Sequence, residues 1–162
     1  MPHLVGLALF ALFIASYATD ADPWVPILDS ANLAFHEAGH PFYAAFGDTM
    51  GWLGGTIGQL TFPFIGMLVF LYRKHAASLA MCALWYFQTF FNIARYVADA
   101  QVQELPLVGG GQHDWTYLLT KWGVLHKEMQ IASNLRLVAW LGFFAVAVFL
   151  AWRMVAQRQD EK

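Results

Sequence analysis

Three residues in this chain stand at a spacing that could do chemistry: His36, Glu37 and His40, in the order His-Glu-x-x-His. On a helix, positions four apart lie on one face, so both imidazoles can reach one metal ion, and zinc suits an imidazole pair. Glu37 is offset around the helix from that pair, where it can take a proton from a water activated by the metal. The pattern is that of a hydrolytic metal centre, with His36 and His40 as ligands and Glu37 as the catalytic base.

The elements that must position these residues are unusual for such a site. Apolar residues make up 59% of the chain and charged residues 12%, the composition of an integral membrane protein. A hydrocarbon core of about 30 Å needs roughly 20 residues of helix. Stretches 2–19, 52–72, 76–98 and 135–152 meet that length, and a fifth, 27–46, carries the motif. The sequence therefore predicts a single all-α domain over 1–162, a polytopic membrane helical bundle with four to five spans. Five follow if the motif helix crosses and four if it is re-entrant. The hydrophobic stretch at the start lacks the basic flank of a signal peptide and is read as a retained helix. Arg73, Lys74 and His75 between the third and fourth apolar segments, and Arg153, Arg158 and Lys162 after the last, place both basic clusters and the C-terminus in the cytoplasm by the positive-inside bias, with the N-terminus outside for five spans and inside for four. A bacterial inner membrane suits that arrangement. The net charge of −2 argues against nucleic acid as a partner. The lone cysteine, Cys82, allows no disulfide within the chain and reads as core packing.

The connection 99–134 then lies on the opposite side. It holds Gly109, Gly110 and Gly111, the one obvious hinge, and restarts at His113-Asp114-Trp115. Trp115, Leu118, Leu119, Trp122 and Leu125 recur at helical spacing, which predicts an interfacial amphipathic helix over about 114–130, capped by Asp114. A second polar group occupies the fourth apolar segment: Gln88, Asn92, Arg95 and Asp99 form one stripe at intervals of four, three and four. In lipid such a stripe faces the bundle interior or water. It reads equally as a self-contained ladder and as a partner of the motif, with Gln88, Asn92 and Arg95 as substrate-binding or transition-state groups.

Two histidines need a third protein ligand to make a catalytic zinc site. Asp99, His113, Asp114 and His126 are the candidates. His126 suits headgroup level and Asp114 has a capping role, which leaves Asp99, anchored on a helix, and His113, just past the glycines. In the third segment Gln59 could donate to a substrate carbonyl or bond a neighbouring helix.

The run 35–47, with His36-Glu37-Ala38-Gly39-His40 followed by small residues and a closing glycine, resembles the active-site helix of the site-two intramembrane metalloproteases. That resemblance implies zinc on His36 and His40, Glu37 as general base, and cleavage of a peptide bond within or beside the membrane. The family draws its third ligand from an aspartate followed by glycine, and no Asp-Gly pair occurs here. Two further readings stand beside the hydrolase. One is a redox-metal membrane enzyme in which Glu37 is a ligand. The other is a small subunit or assembly factor of a larger membrane complex. Expected partners are membrane lipid, a peptide or membrane-protein substrate, and further copies or subunits.

Overall fold

The computed structural model describes residues 2–18, 24–108 and 111–160. Six helices and no strand occur among them: α1 (Pro2–Ala18), α2 (Pro26–Ala44), α3 (Asp48–Tyr72), α4 (Ala76–Ala98), α5 (Asp114–Lys121) and α6 (Glu128–Asp160). Most of the hinge, Gly109 and Gly110, falls outside the described residues, as do 19–23 between α1 and α2.

Local chemistry explains the boundaries. Pro26 opens α2, where its missing N–H is no loss. The Asp29 carboxylate, one turn in, accepts the Val25 N–H at 2.6 Å. Gly47, at φ 111°, makes the reversal into α3 that a side chain would resist. His75 caps α4 by accepting the Ser78 N–H. At the other end of the bundle Gly123, at φ 70°, donates to the Thr120 carbonyl while Val124 donates to that of Leu119. This paired closure ends α5. The expected surface helix over 114–130 is therefore shortened: α5 stops at Lys121, a 3₁₀ turn covers Leu125–Lys127, and α6 has already begun at Glu128. The helical periodicity runs on through the glycine because Leu125, in the 3₁₀ turn, keeps the apolar spacing. The apolar face of α5 is taken up by the bundle, with Trp115, Leu118 and Leu119 buried against α4 and α6.

Helix α2 packs on α3 and α4 on α6, with α3 and α4 joining the two pairs. The first contact is made through glycine. A Cβ on Gly39 would lie 2.8 Å from the carbonyl carbon of Gly54 and closer still to its oxygen, and one on Gly58 would lie 2.9 Å from the Gly39 Cα. Small residues let backbones approach this closely, the usual basis of helix association in membranes. One apolar core joins Leu7, Ile14, Leu84, Phe91, Phe143 and Leu150, and a second joins Ile93, Val97, Trp115, Leu118, Leu119 and Ala132.

Two segments are long and apolar enough to cross a membrane, α3 and Leu125–Ala156, rather than the four to five expected. The described apolar part of α1, Gly6–Tyr17, is shorter. Helices α2 and α4 fall below the same threshold because each carries a polar face. That face is turned inward: Asp29, Asn32, Gln88 and Thr89 are all buried. Gln88 donates to Asp29 at 2.7 Å, Asn32 donates to Gln88 at 3.1 Å, and the Trp85 indole donates to Asn32 at 2.8 Å. The outward faces of α3 and α6 carry large apolar side chains, among them Phe62, Ile65 and Leu68 on α3 and Leu137, Leu141 and Phe144 on α6.

Candidate metal centre

His36 and His40 project from the middle of α2 toward the start of α5, where Asp114 meets them. The Asp114 Oδ2 lies 2.9 Å from His36 Nε2 and 3.3 Å from His40 Nε2. One donor atom from each of the three residues lies within 4.8 Å of the others, and no other such group occurs among the described residues. His36 and Asp114 are buried and His40 half-buried. The three residues form a group that could bind a metal ion.

The donor set fits a metal on three observations. Zinc at about 2.0–2.1 Å from each donor in a tetrahedron holds its ligand atoms about 3.3 Å apart, close to both observed separations. His40 Nδ1 lies 2.8 Å from the Gly51 carbonyl, which can only accept, so the N–H sits on Nδ1 and Nε2 carries the lone pair. The His36 ring fits against the bare backbone of Gly55, where a Cβ would approach Cδ2 to 2.7 Å and Nε2 more closely still. Burial pushes the Asp114 carboxyl up, yet the adjoining His36 and His40 imidazoles outweigh it and hold the group below its ordinary value.

Asp114 reaches the histidines because it is not the cap of α5. His113 takes that position, its Nδ1 accepting the Thr116 N–H at 3.3 Å, and Asp114 is the first residue inside the helix with its carboxylate released. The two residues the sequence favoured as third ligand do something else. Asp99 accepts the N–H groups of Glu104 at 2.8 Å and Leu105 at 3.1 Å. His113 Nε2 lies 3.4 Å from the Asp99 carboxylate, a close contact without the alignment of a hydrogen bond. Neither joins the metal-capable group. Burial lowers the His113 imidazole below its ordinary value, although Asp99 and Asp114 pull the other way. His126 is exposed, as expected of a residue outside the site.

Glu37 also stands outside the group of three, exposed on α2 with no hydrogen bond among the described residues. It opens onto two cavities. One, of about 210 Å³, contains His36, His40 and Asp114. The other, of about 340 Å³, is lined by Glu37, Gln59, Asn92 and Arg95 together with Leu33, Leu105, Leu107 and Val108. Of the polar stripe on α4, Asn92 and Arg95 thus reach the neighbourhood of Glu37, and the Arg95 guanidinium lies 5.6 Å from the Trp24 ring centroid. Gln88 does not, being committed to Asp29 and Asn32 one turn of α2 earlier. Gln59 is buried in the cavity wall and makes no interhelical bond among the described residues.

Tyr96 is the participant that the sequence reading missed. Its hydroxyl accepts the Asp114 N–H at 3.2 Å and lies 3.5 Å from Oδ2 of the same residue. Its ring packs edge-on to His36 and tilted against His113, and it lines both cavities. The signal was available: Tyr96 follows Asn92 by four residues and adjoins Arg95, so it extends the stripe already noticed. Comparison with protein-family models, with curated proteins and with solved structures gave no match.

Proposed function

We propose that the protein is a zinc-dependent integral membrane hydrolase, an endopeptidase that cleaves a peptide bond within or next to the membrane. The observation that carries this reading is the meeting of Asp114 with His36 and His40 while Glu37 stays free at the mouth of an adjoining cavity. Two imidazoles and one carboxylate, with a fourth position left open, are a donor set suited to catalytic zinc. Zinc bound there supplies a Lewis acid that polarises a carbonyl and acidifies water. Glu37 takes the water proton and returns it to the leaving amine, so that peptide and water give one carboxylate and one amine. Asn92 and Gln59 offer amide groups to a substrate backbone, and Arg95 offers positive charge to the oxygen that becomes anionic. The apolar walls made by Leu33, Leu105, Leu107 and Val108 suit a hydrophobic peptide segment.

In this reading α2 and α4 lie in the membrane beside α3 and α6, inside a bundle of four or five spans counting α1. Their buried polar groups are shared between the two helices, as lipid requires. The turn holding Arg73 and Lys74 and the end of α6 holding Arg153 are the cytoplasmic side, of a bacterial inner membrane. Lipid and a peptide or membrane-protein substrate are the partners.

The test is cleavage of hydrophobic peptides by detergent-solubilised protein, read by mass spectrometry of the products. Cleavage that needs zinc and disappears in Glu37→Gln supports the proposal. A zinc-loaded, folded protein that cuts no membrane-derived peptide, or a Glu37→Gln variant that cuts equally well, refutes it.

A further inference from the structure

Asp99 and His113 are both buried and both polar, and neither touches the two histidines of the motif. A buried carboxylate is costly unless its oxygens are used. Each oxygen of Asp99 is used, one on the N–H of Glu104 and the other on that of Leu105. Those two amides begin the segment whose next side chains, Leu105, Pro106, Leu107 and Val108, form one wall of the cavity beside Glu37. The same Oδ2 that holds the Leu105 amide faces His113 Nε2. His113 Nδ1 accepts a backbone N–H, so the neutral ring carries its proton on Nε2, toward Asp99. His113 in turn fixes the first turn of α5, whose first residue is Asp114. A further bond, from the Thr116 hydroxyl to the Ala100 carbonyl, ties the same turn to the end of α4.

We infer that Asp99 and His113 are positioning residues: the Asp99 carboxylate, through His113, sets the metal ligand Asp114 and at the same time holds the cavity wall over Glu37. Metal occupancy and the order of that wall are then coupled through one side chain. This rests on the proposed metal centre, but it concerns residues that do not bind the metal. Removing the partners that orient a ligand typically weakens metal affinity about 10–100-fold.

The experiment is a zinc titration of purified protein against a chromophoric chelator, with Asp99→Ala, His113→Ala and His113→Asn beside the parent. Asparagine accepts the Thr116 N–H as a helix cap, whereas alanine cannot. Zinc affinity is expected to fall about 10-fold in Asp99→Ala and further in His113→Ala, which loses the cap as well, while His113→Asn, which keeps the cap without the Asp99 contact, recovers to the level of Asp99→Ala. Affinity within twofold of the parent in Asp99→Ala overturns the inference. So does a His113→Asn variant as weak as His113→Ala, which would make the imidazole itself a ligand. A second measurement holds even if the alanine variants fail to fold: hydrogen exchange of the Glu104 and Leu105 amides in the parent protein. Zinc is expected to slow both, and exchange indifferent to bound zinc overturns the coupling. Failure of the parent to bind zinc at all is a different result, and it refutes the metal centre rather than this relay.

Discussion

Gly55→Ala separates the metal centre from the helix pair that carries it. The added Cβ would sit 2.7 Å from His36 Cδ2 and nearer to Cε1 and Nε2, where ordinary contact begins at 3.4 Å. The obstacle is the far end of a side chain, so the ring yields and the backbones stay. It must retreat by roughly 1 Å to restore van der Waals separation. A ligand tolerates only about 0.2 Å of error in its bond to the metal, so a retreat of that size removes His36 from coordination. We expect zinc affinity to fall by about 100-fold or more, at or beyond the upper end of what loss of an orienting partner alone does. The stability cost of the extra methyl, by contrast, is about 1–3 kcal/mol, the usual range for overpacking. Gly39→Ala is the contrasting variant, because its Cβ meets the Gly54 backbone, which has nowhere to go. That change forces α2 and α3 apart and lowers both thermal stability and zinc affinity. The assay is chelator competition alongside a thermal melt followed by circular dichroism in the same detergent. A Gly55→Ala protein that binds zinc as tightly as the parent would show that the His36 ring does not occupy the position described, and the geometry of the site would fail with it.

Glu37→Gln should retain stoichiometric zinc while losing at least about 100-fold in turnover, because the amide cannot accept a proton; loss of the metal instead would make Glu37 a ligand and favour the redox reading. Tyr96→Phe removes the acceptor for the Asp114 N–H but leaves the ring against His36, so chelator competition should show zinc affinity down by about 10-fold, and an unchanged affinity would deny the hydroxyl any role in holding Asp114. Asn32→Ala breaks bonds to Asp29, Gln88, Trp85 and Thr89, and at about 0.6 kcal/mol for each bond within a membrane bundle the melt should register a loss of about 2–3 kcal/mol with zinc affinity little changed.

Local chemistry was legible in the sequence where it lay on one helix. The His36–His40 pair and the inward polar stripe on α4 both follow from spacing within a single element, and spacing within an element survives folding unchanged. The third member of the metal-capable group, Asp114, depended on how two elements meet, which no spacing reports. Asp114 was set aside as a helix cap, the ordinary use of an aspartate at that position, and His113 takes the capping role in its place. Asp99 looked well anchored because it ends a helix, and it is: its anchoring serves the amides of Glu104 and Leu105. The count of four to five exceeds the two segments apolar enough to span because length was read ahead of polarity, and the buried polar groups of α2 and α4 lower their mean hydropathy. The surface helix was drawn too long because periodicity continues through Gly123 while the backbone does not.

X-ray absorption at the zinc edge, with metal analysis of the same purified protein, tests the central claim most directly. One zinc per chain is expected, with two imidazoles and one carboxylate among its donors, and Asp114→Ala should lose the carboxylate or the metal altogether while Asp99→Ala keeps the donor set at reduced affinity. A folded protein that takes up no stoichiometric metal, or a donor set left unchanged when Asp114 is replaced, would contradict the assignment of His36, His40 and Asp114 as the site.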